Sequence, residues 1–423
     1  ERLICIQEVS GSIPLSSTRK SFMEHIRSQF PILNRKLPSG KPLVYFDSAN
    51  SSQKPQRVID RMNKFMTEEY SSVGRSIHEL SNHATALVEK SRQAVADFIN
   101  AYDKDEIVFT KSATEAINMI STAFGRTMKP SDEIITTEIE HHSNYIPWHL
   151  QRKFNGSVIK FLKVNDQHQI NIDELESLIT ERTKIIAITH LSNTTGQVID
   201  IKKVCEIAHK HDIAVAVDGT QGAPHVKADV RDLDCDFYSM SGHKMYGPSG
   251  IGVMYAKGKW IDNLDPALGG GGMIETVSHD DVEFAQGSKK WEAGTLAVTE
   301  IVGLNEALNF YVNTDFEKMI QHEHEVISYA YEKMSELSDM KFIGTDERSA
   351  VISFNLGNIH HQDMAMFLDA YGIATRPGHH CTQMLHRQIG WTGSCRISTG
   401  VYSTKQEVDY FIDCLKEIYK RFN

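Results

Sequence analysis

The chain has 423 residues, 40% hydrophobic and 24% charged, with a formal net charge of -10. That length exceeds what one hydrophobic core ordinarily serves and points to two domains. The composition is that of a soluble globular protein, no apolar run approaches the roughly 18 residues of a membrane span, and the acidic balance argues against a nucleic-acid partner.

In chain order, a helix over about 17–29 comes first and is expected to pack on the C-terminal part of the molecule. From Leu43 to about Ala256 short apolar runs then alternate with amphipathic stretches. LVYFD is followed by helices near 55–70 and 84–101, EIVFT by a helix from Ser112, and EIITTEI by a helix near 145–154. VIKFLKV, a helix near 172–180, KIIAITHLS, a helix near 201–211, IAVAVD and FYSMSG complete the series. Near-continuous apolar strands alternating with helices predict an α/β sandwich whose parallel sheet is covered on both faces. Beyond about Val298 the texture changes to helices near 298–337, 361–372 and 405–421, interleaved with MKFIG, AVISFNL and CRISTG, which predicts a smaller α+β domain. The expected division is a large domain over 41–297 and a small one built from 1–40 and 298–423.

The six cysteines, Cys5, Cys205, Cys235, Cys381, Cys395 and Cys414, form no CxxC pair. Neither a disulfide framework nor a metal site is expected, and reduced thiols in the cytoplasm are. The opening ERLICIQEV has no initiator Met and lacks the charged-then-apolar order of a secretion signal, so we expect the sequence to start inside a longer chain or to follow a removed tag.

In an open α/β sheet, ligands sit beyond the carboxyl ends of the strands. Asp218 closes IAVAVD, and DFYSMSGHKMYGPSG places Ser241, His243 and Lys244 at another strand end before a Gly/Pro turn. A lysine in such an apolar, glycine-rich setting has a lowered proton affinity and can attack an aldehyde, while a carboxylate on the far side would hold a pyridine nitrogen protonated. In FTKSATEAINMI, Ser112 and Glu115 have the spacing of a capping box, and the helix start behind it suits a phosphate. Each of these features alone is more often structural; their order and spacing together carry the reading.

With these residues in place, the chain resembles the group II, Suf-type (SufS-like) cysteine desulfurases of the aminotransferase class V family. The resemblance runs from about Phe22 to the end. It rests on DSAN at 47–50, GRSIHELS at 74–81, KSATEAIN at 111–118, EHHSNYIPW at 140–148, THLSNTTG at 189–196 and VDGTQGAPH at 217–225. SGHKMYGPSGIG at 241–252, GGGGMI at 269–274, WEAGT at 291–295, RPGHHC at 376–381 and CRIS at 395–398 continue it.

The resemblance implies the fold type I of enzymes dependent on pyridoxal 5'-phosphate: a mixed, mostly parallel seven-stranded sheet between helices, plus the smaller α+β domain. It implies that Lys244 carries the cofactor covalently, that Asp218 pairs with the pyridinium nitrogen, that His141 stacks on the ring and that Gln221 bonds the ring hydroxyl oxygen. Thr114, Ser241 and His243 would hold the phosphate, with Thr295 reaching in from the second subunit of a homodimer. Asn193, Arg376 and Arg396 fall on the substrate side, Arg396 offering a fork for the cysteine carboxylate. Cys381 would be the nucleophile, in a loop with Arg376, His379 and His380 whose character favours the thiolate.

The implied reaction converts L-cysteine to L-alanine with a persulfide on Cys381, passed to an acceptor protein of the SufE or SufU type for iron–sulfur cluster assembly. Arg75, His78 and His142 are further substrate-side candidates, and the remaining cysteines are expected to be structural. GGGGMI and 275–290, the least regular stretch, are expected at the dimer interface.

The sequence departs from the family pattern at three places. Val73-Gly74-Arg75-Ser76-Ile77-His78 stands where close relatives have VHRGIH, Asn50 stands where they have a small residue, and TQML follows the nucleophile. A selenocysteine lyase or another lyase of sulfur amino acids on the same scaffold is the alternative reading. A non-catalytic scaffold would be expected to lose Lys244 or Cys381, and a dinucleotide-binding dehydrogenase would need a GxGxxG after the first strand.

Overall fold

The structure, a computed structural model, describes residues 24–74 and 76–422. Seven strands form the main sheet: β1 (Ile107–Thr110), β2 (Glu133–Thr137), β3 (Val158–Leu162), β4 (Thr183–Thr189), β5 (Ala214–Asp218), β6 (Phe237–Ser241) and β7 (Gly252–Ala256). They lie in the order β1-β7-β6-β5-β4-β2-β3. Neighbours run parallel except at β7, which is antiparallel to both β1 and β6.

Successive residues of one strand point to opposite faces, and the sheet is buried on both. Ile186, Ile188, Val215, Val217, Val253 and Tyr255 enter one core, which helix α2 (Glu79–Phe98) helps to cover and on whose far side α1 (Gln56–Lys64) packs against Val298–Thr314. Ile185, Ala187, Ala214, Ala216, Met254 and Ala256 enter the other, beneath α3 (Ala113–Gly125) and α4 (His142–Asn155). This two-sided burial is why the strands read as unbroken apolar runs.

A second, antiparallel sheet of β8 (Met340–Ile343), β9 (Val351–Leu356), β10 (Arg376–Gly378) and β11 (Ser394–Ser398) has the order β8-β9-β11-β10. Its own core joins Phe354 and Ile397 to Val326, Phe411 and Leu415. Among the described residues no helix is long and apolar enough to cross a membrane.

Several local expectations change. LVYFD is not a strand of the main sheet: Val44–Tyr45 pairs in parallel with Ile373–Ala374, and Val44 and Phe46 bury in the smaller core. GVMYA supplies the remaining strand of the seven. The helix near 172–180 is a 3-10 segment, Ile172–Leu178. The stretch 298–337 breaks at Asp315, whose φ of 71° interrupts the ladder, into Val298–Thr314 and Phe316–Ser335.

Ile301, Val302 and Leu308 of the first piece join a core under the main sheet, and Val326 and Ile327 of the second join the smaller one. The apolar cores thus divide within that second helix, downstream of the boundary at 297/298. Of the helix over 17–29, residues 24–28 are helical and 17–23 lie outside the described residues. Phe30 packs on Tyr246 and Phe310 while Arg27 pairs with Glu407, so this segment bridges both parts. RPG, expected in a loop, is strand β10. The irregular 275–290 stretch contains a short antiparallel pair, Ile274–Val277 with Val282–Phe284.

Candidate active site

The carboxyl ends of β4, β5 and β6, the start of α3 and the start of α4 surround a cavity of about 220 Å³, lined by Thr114, His141, Asn193, Asp218, Gln221, Ser241, His243 and Lys244 together with Arg376 and Cys381. Lys244 ends the one-turn segment Gly242–Lys244 that follows β6. The turn is pinned through the His243 carbonyl, which accepts from Ser52 N at 3.0 Å and Lys54 Nζ at 2.9 Å. Burial, helped by the charges of Arg396 and Arg376, holds the Lys244 ammonium down to about 8 from 10.5, against the opposing pull of Asp218 and Cys381. A near-neutral pKa leaves a reactive fraction of free amine.

Asp218, buried at the end of β5, accepts the Thr220 amide at 3.0 Å and the Thr220 hydroxyl on one oxygen, leaving the other without a hydrogen bond. Gln221 donates to Ala49 O at 2.7 Å, and its buried Oε1 has no partner among the described residues. His141 caps α4, its Nδ1 accepting from Ser143 N at 3.1 Å. Burial and the nearby Lys244 hold its pKa down to about 3. The ring is therefore neutral near pH 7, with its proton on Nε2, and suits packing against a flat ligand. Beneath it Glu140 accepts from Thr137, Asn144 and Thr189; burial pushes its carboxyl up to about 8.

At the start of α3, Ser241 Oγ accepts from Ala113 N at 2.9 Å and Ser112 Oγ from Glu115 N at 3.2 Å, while Thr114 Oγ1 and Ser143 Oγ lie 2.8 Å apart. Glu115 reaches Lys111 N at 2.6 Å instead of closing a capping box on Ser112. β7 passes so close that a Cβ on Gly252 would lie 2.4 Å from the Ser112 carbonyl carbon. The Thr114 amide and the hydroxyls of Thr114 and Ser241 sit at a helix start, where backbone amides and the helix dipole favour an anion.

The opposite wall comes from the small sheet. Arg396 on β11 lies behind the lining residues rather than among them; it is fully buried, and burial lowers it to about 10 from 12.5. Its Nη1 donates to Asn193 O at 2.9 Å, Nη2 stands 3.6 Å from Asp47 Oδ1, and among the described residues neither Nε nor Nη2 has a hydrogen-bond partner. Arg376 on β10 donates to Asn50 Oδ1 at 3.1 Å and to Cys381 Sγ at 3.5 Å.

Cys381 and His380 both have left-handed backbones, φ 60° and 52°. Such conformations cost on the order of 1–3 kcal/mol each and persist only where the surroundings impose them. Here His142 N donates to Cys381 O, Asn193 Nδ2 to His380 O and Thr382 N to His379 O, each at 2.8 Å.

Of the residues singled out from the sequence, Thr295 is exposed and does not line this cavity. It follows Glu292, which is locked to Arg92 by two bonds of 2.7 and 2.8 Å. His78 caps α2, accepting from Ser81 N at 3.2 Å, and His142 tethers the Cys381 turn; Arg75 and Cys5 lie outside the described residues. Cys205, Cys235, Cys395 and Cys414 are buried. Gly74 has φ 92°, a conformation natural to glycine, so the loss of the family's histidine there comes with a turn. Sequence reasoning missed Asp47, Lys54, Ser143 and Thr220 as parts of the site. Asp47 at the end of LVYFD carried a usable signal, an acid closing an apolar run.

The set fits a phosphorylated pyridine aldehyde: an amine of lowered pKa, a carboxylate oxygen left unbonded, a buried amide oxygen without partner, a neutral ring and an anion-binding helix start. Residues 44–411 match the family model for aminotransferase class V. The chain is 40% identical over 400 residues to a protein named cysteine desulfurase from Pectobacterium atrosepticum, covering 94% of this chain and 98% of that one. Among solved structures, the cysteine desulfurase CsdA (S-sulfonic acid) from Escherichia coli is 35% identical with a TM-score of 0.86, over 93% of this chain and 98% of that one. The apo structure of a cysteine desulfurase from Thermococcus onnurineus is 31% identical with a TM-score of 0.89, over 98% and 100%.

Proposed function

Because the chain belongs to the aminotransferase class V family, we propose that it is a cysteine desulfurase dependent on pyridoxal phosphate, releasing alanine from L-cysteine and taking the sulfur onto Cys381. The observation that carries this reading is a cysteine sulfur on the cavity wall held by Arg376, with the buried guanidinium of Arg396 on the paired strand keeping two nitrogens without a hydrogen-bond partner among the described residues. An amino acid whose carboxylate meets Arg396 and whose sulfur meets Cys381 satisfies both.

Bound covalently at Lys244, the cofactor would supply an electron sink that weakens the substrate bonds at Cα and Cβ. Asp218 would hold its ring nitrogen protonated, His141 would cover one face, and Thr114, Ser241 and His243 would take the phosphate. Arg396, with Asn193 behind it, binds the carboxylate of the substrate bidentately. The Lys244 amine, freed when substrate binds, removes the α-proton. The Cys381 thiolate attacks the substrate sulfur; an S–S bond forms as the Cβ–S bond breaks, the electron pair of that bond stays with the carbon fragment, and protonation at Cβ and Cα lets it leave as alanine.

The same reading extends to a cytoplasmic homodimer that passes the persulfide to an acceptor of the SufE or SufU type for iron–sulfur cluster assembly. Exposed Leu268 (46%), Val277 (61%) and Val282 (43%) in and beside the glycine-rich stretch support an interface there, and Thr295 would reach the second subunit's phosphate from it. Mass spectrometry of the holoenzyme after L-cysteine without reductant should find one added sulfur atom on the Cys381 peptide. An unmodified peptide with alanine formed would favour a lyase that needs no thiol, selenocysteine lyase among the substrates to try.

A further inference from the structure

Arg376 and Arg396 are direct cross-strand partners on β10 and β11. Like charges placed opposite one another repel, and Arg396 is bound on its other side to Asn193 O. What separates them is a chain of contacts that runs through one exposed side chain at the cavity rim, Asn50. Its Nδ2 donates to Asp47 Oδ2 at 3.1 Å, and Asp47 Oδ1 faces Arg396 Nη2 at 3.6 Å. Its Oδ1 accepts from Arg376 Nη1 at 3.1 Å, and Arg376 Nη2 in turn donates to Cys381 Sγ at 3.5 Å. The two ends of the amide thus address the two arginines separately, one through Asp47 and one directly. Arg376 makes no other side-chain hydrogen bond among the described residues, so Asn50 and Cys381 together fix its guanidinium.

We propose that Asn50 is a positioning residue that keeps Arg376 on the Cys381 sulfur and away from the carboxylate grip of Arg396. A small residue at 50 offers no acceptor, and the Arg376 fork would then be free to swing toward any anion in the cavity, the substrate carboxylate included. The proposal rests on Cys381 being the reactive thiol of the proposed function, and its test reads that thiol directly, without turnover.

The test compares the rate of iodoacetamide alkylation at Cys381, followed on its own peptide by mass spectrometry, in the holoenzyme of the wild type, Asn50→Ala, Arg376→Gln and the double variant, with cofactor absorbance checked in each. Asn50→Ala should slow alkylation about three- to tenfold. In the Arg376→Gln background the same substitution should change nothing further, since two residues acting through one contact are not additive. Asn50→Ser, with a shorter acceptor, should fall between. Wild-type alkylation in Asn50→Ala, or effects that multiply in the double variant, would overturn the proposal. Alanine production by the wild type, measured in parallel, separates the two ideas: its absence would sink the proposed reaction while leaving the alkylation pattern to judge Asn50.

Discussion

On the cavity wall formed by the main sheet, Asp218, His141 and Ser241 each already hold a hydrogen bond from a backbone amide close by, and the Lys244 turn is pinned by residues 52 and 54. On the wall formed by the small sheet, Arg396 keeps two buried nitrogens unbonded, Asp47 Oδ1 is likewise without a bond, and the Cys381 turn runs through two left-handed residues. The first wall is largely assembled before any ligand arrives, though the buried Gln221 Oε1 has no partner among the described residues. The second leaves donors without hydrogen bonds and a strained turn, and under the proposed function it is the wall an anionic substrate would meet. The burial that costs Arg396 its hydration is also what makes its free fork worth filling.

The contrast breaks most completely at Lys244. Lys244→Ala should abolish alanine formation, a loss of at least about a thousandfold, together with the visible absorbance of the bound cofactor. Arg396→Lys should leave that absorbance intact and raise KM for cysteine roughly ten- to a hundredfold, because a single ammonium cannot reproduce a bidentate fork. Steady-state kinetics and a spectrum on each variant check both.

Acid should act on histidines behind both walls. Burial holds His141 down to about 3 and His190, His243 and His386 down to about 4 in the folded chain, each against an ordinary 6.5. Between those values and 6.5 the unfolded chain binds more protons than the folded one, so the stability these groups contribute is present above 6.5 and is lost as pH falls toward 4. Each is worth up to about 1.4 kcal/mol per pH unit in that window. Glu140, pushed up to about 8 from 4.5, works in the opposite sense, gaining stability as pH falls through that interval, but the histidines, with His380 also held well below 6.5, outnumber it. Thermal unfolding of the cofactor-free protein should therefore show a lower Tm at pH 5 than at pH 7.

The smallest expected effect probes the tether of the second wall. His142→Ala removes the acceptor for Gln383 N and should lower kcat about three- to tenfold with cofactor absorbance unchanged, since the lost bond is of ordinary strength.

The two walls also differed in how plainly they could be read from the sequence. Asp218, Ser241, His243 and Lys244 close apolar strands, and strand ends in an α/β sheet are where ligands bind, so these residues announced themselves within short windows. The substrate wall depends on pairings far apart in sequence. Asp47 to Arg396 and Asn50 to Arg376 follow from the LVYFD segment lying beside Ile373–Ala374, and His142 to Cys381 joins the start of α4 to a loop more than 230 residues on. No local pattern encodes that: an apolar strand of two to five residues reads the same whichever sheet it joins. The break at Asp315 was hidden for a related reason, because apolar spacing continues across it while the backbone does not.

The central claim is that sulfur leaves cysteine through Cys381 while the cofactor stays on the opposite wall. Its most direct test incubates the holoenzyme with L-cysteine and a reductant and quantifies alanine and sulfide together, with Cys381→Ala in parallel. The account predicts equal amounts of both products from the wild type, and from the variant neither product with undiminished cofactor absorbance. Alanine released by Cys381→Ala at the wild-type rate would contradict it.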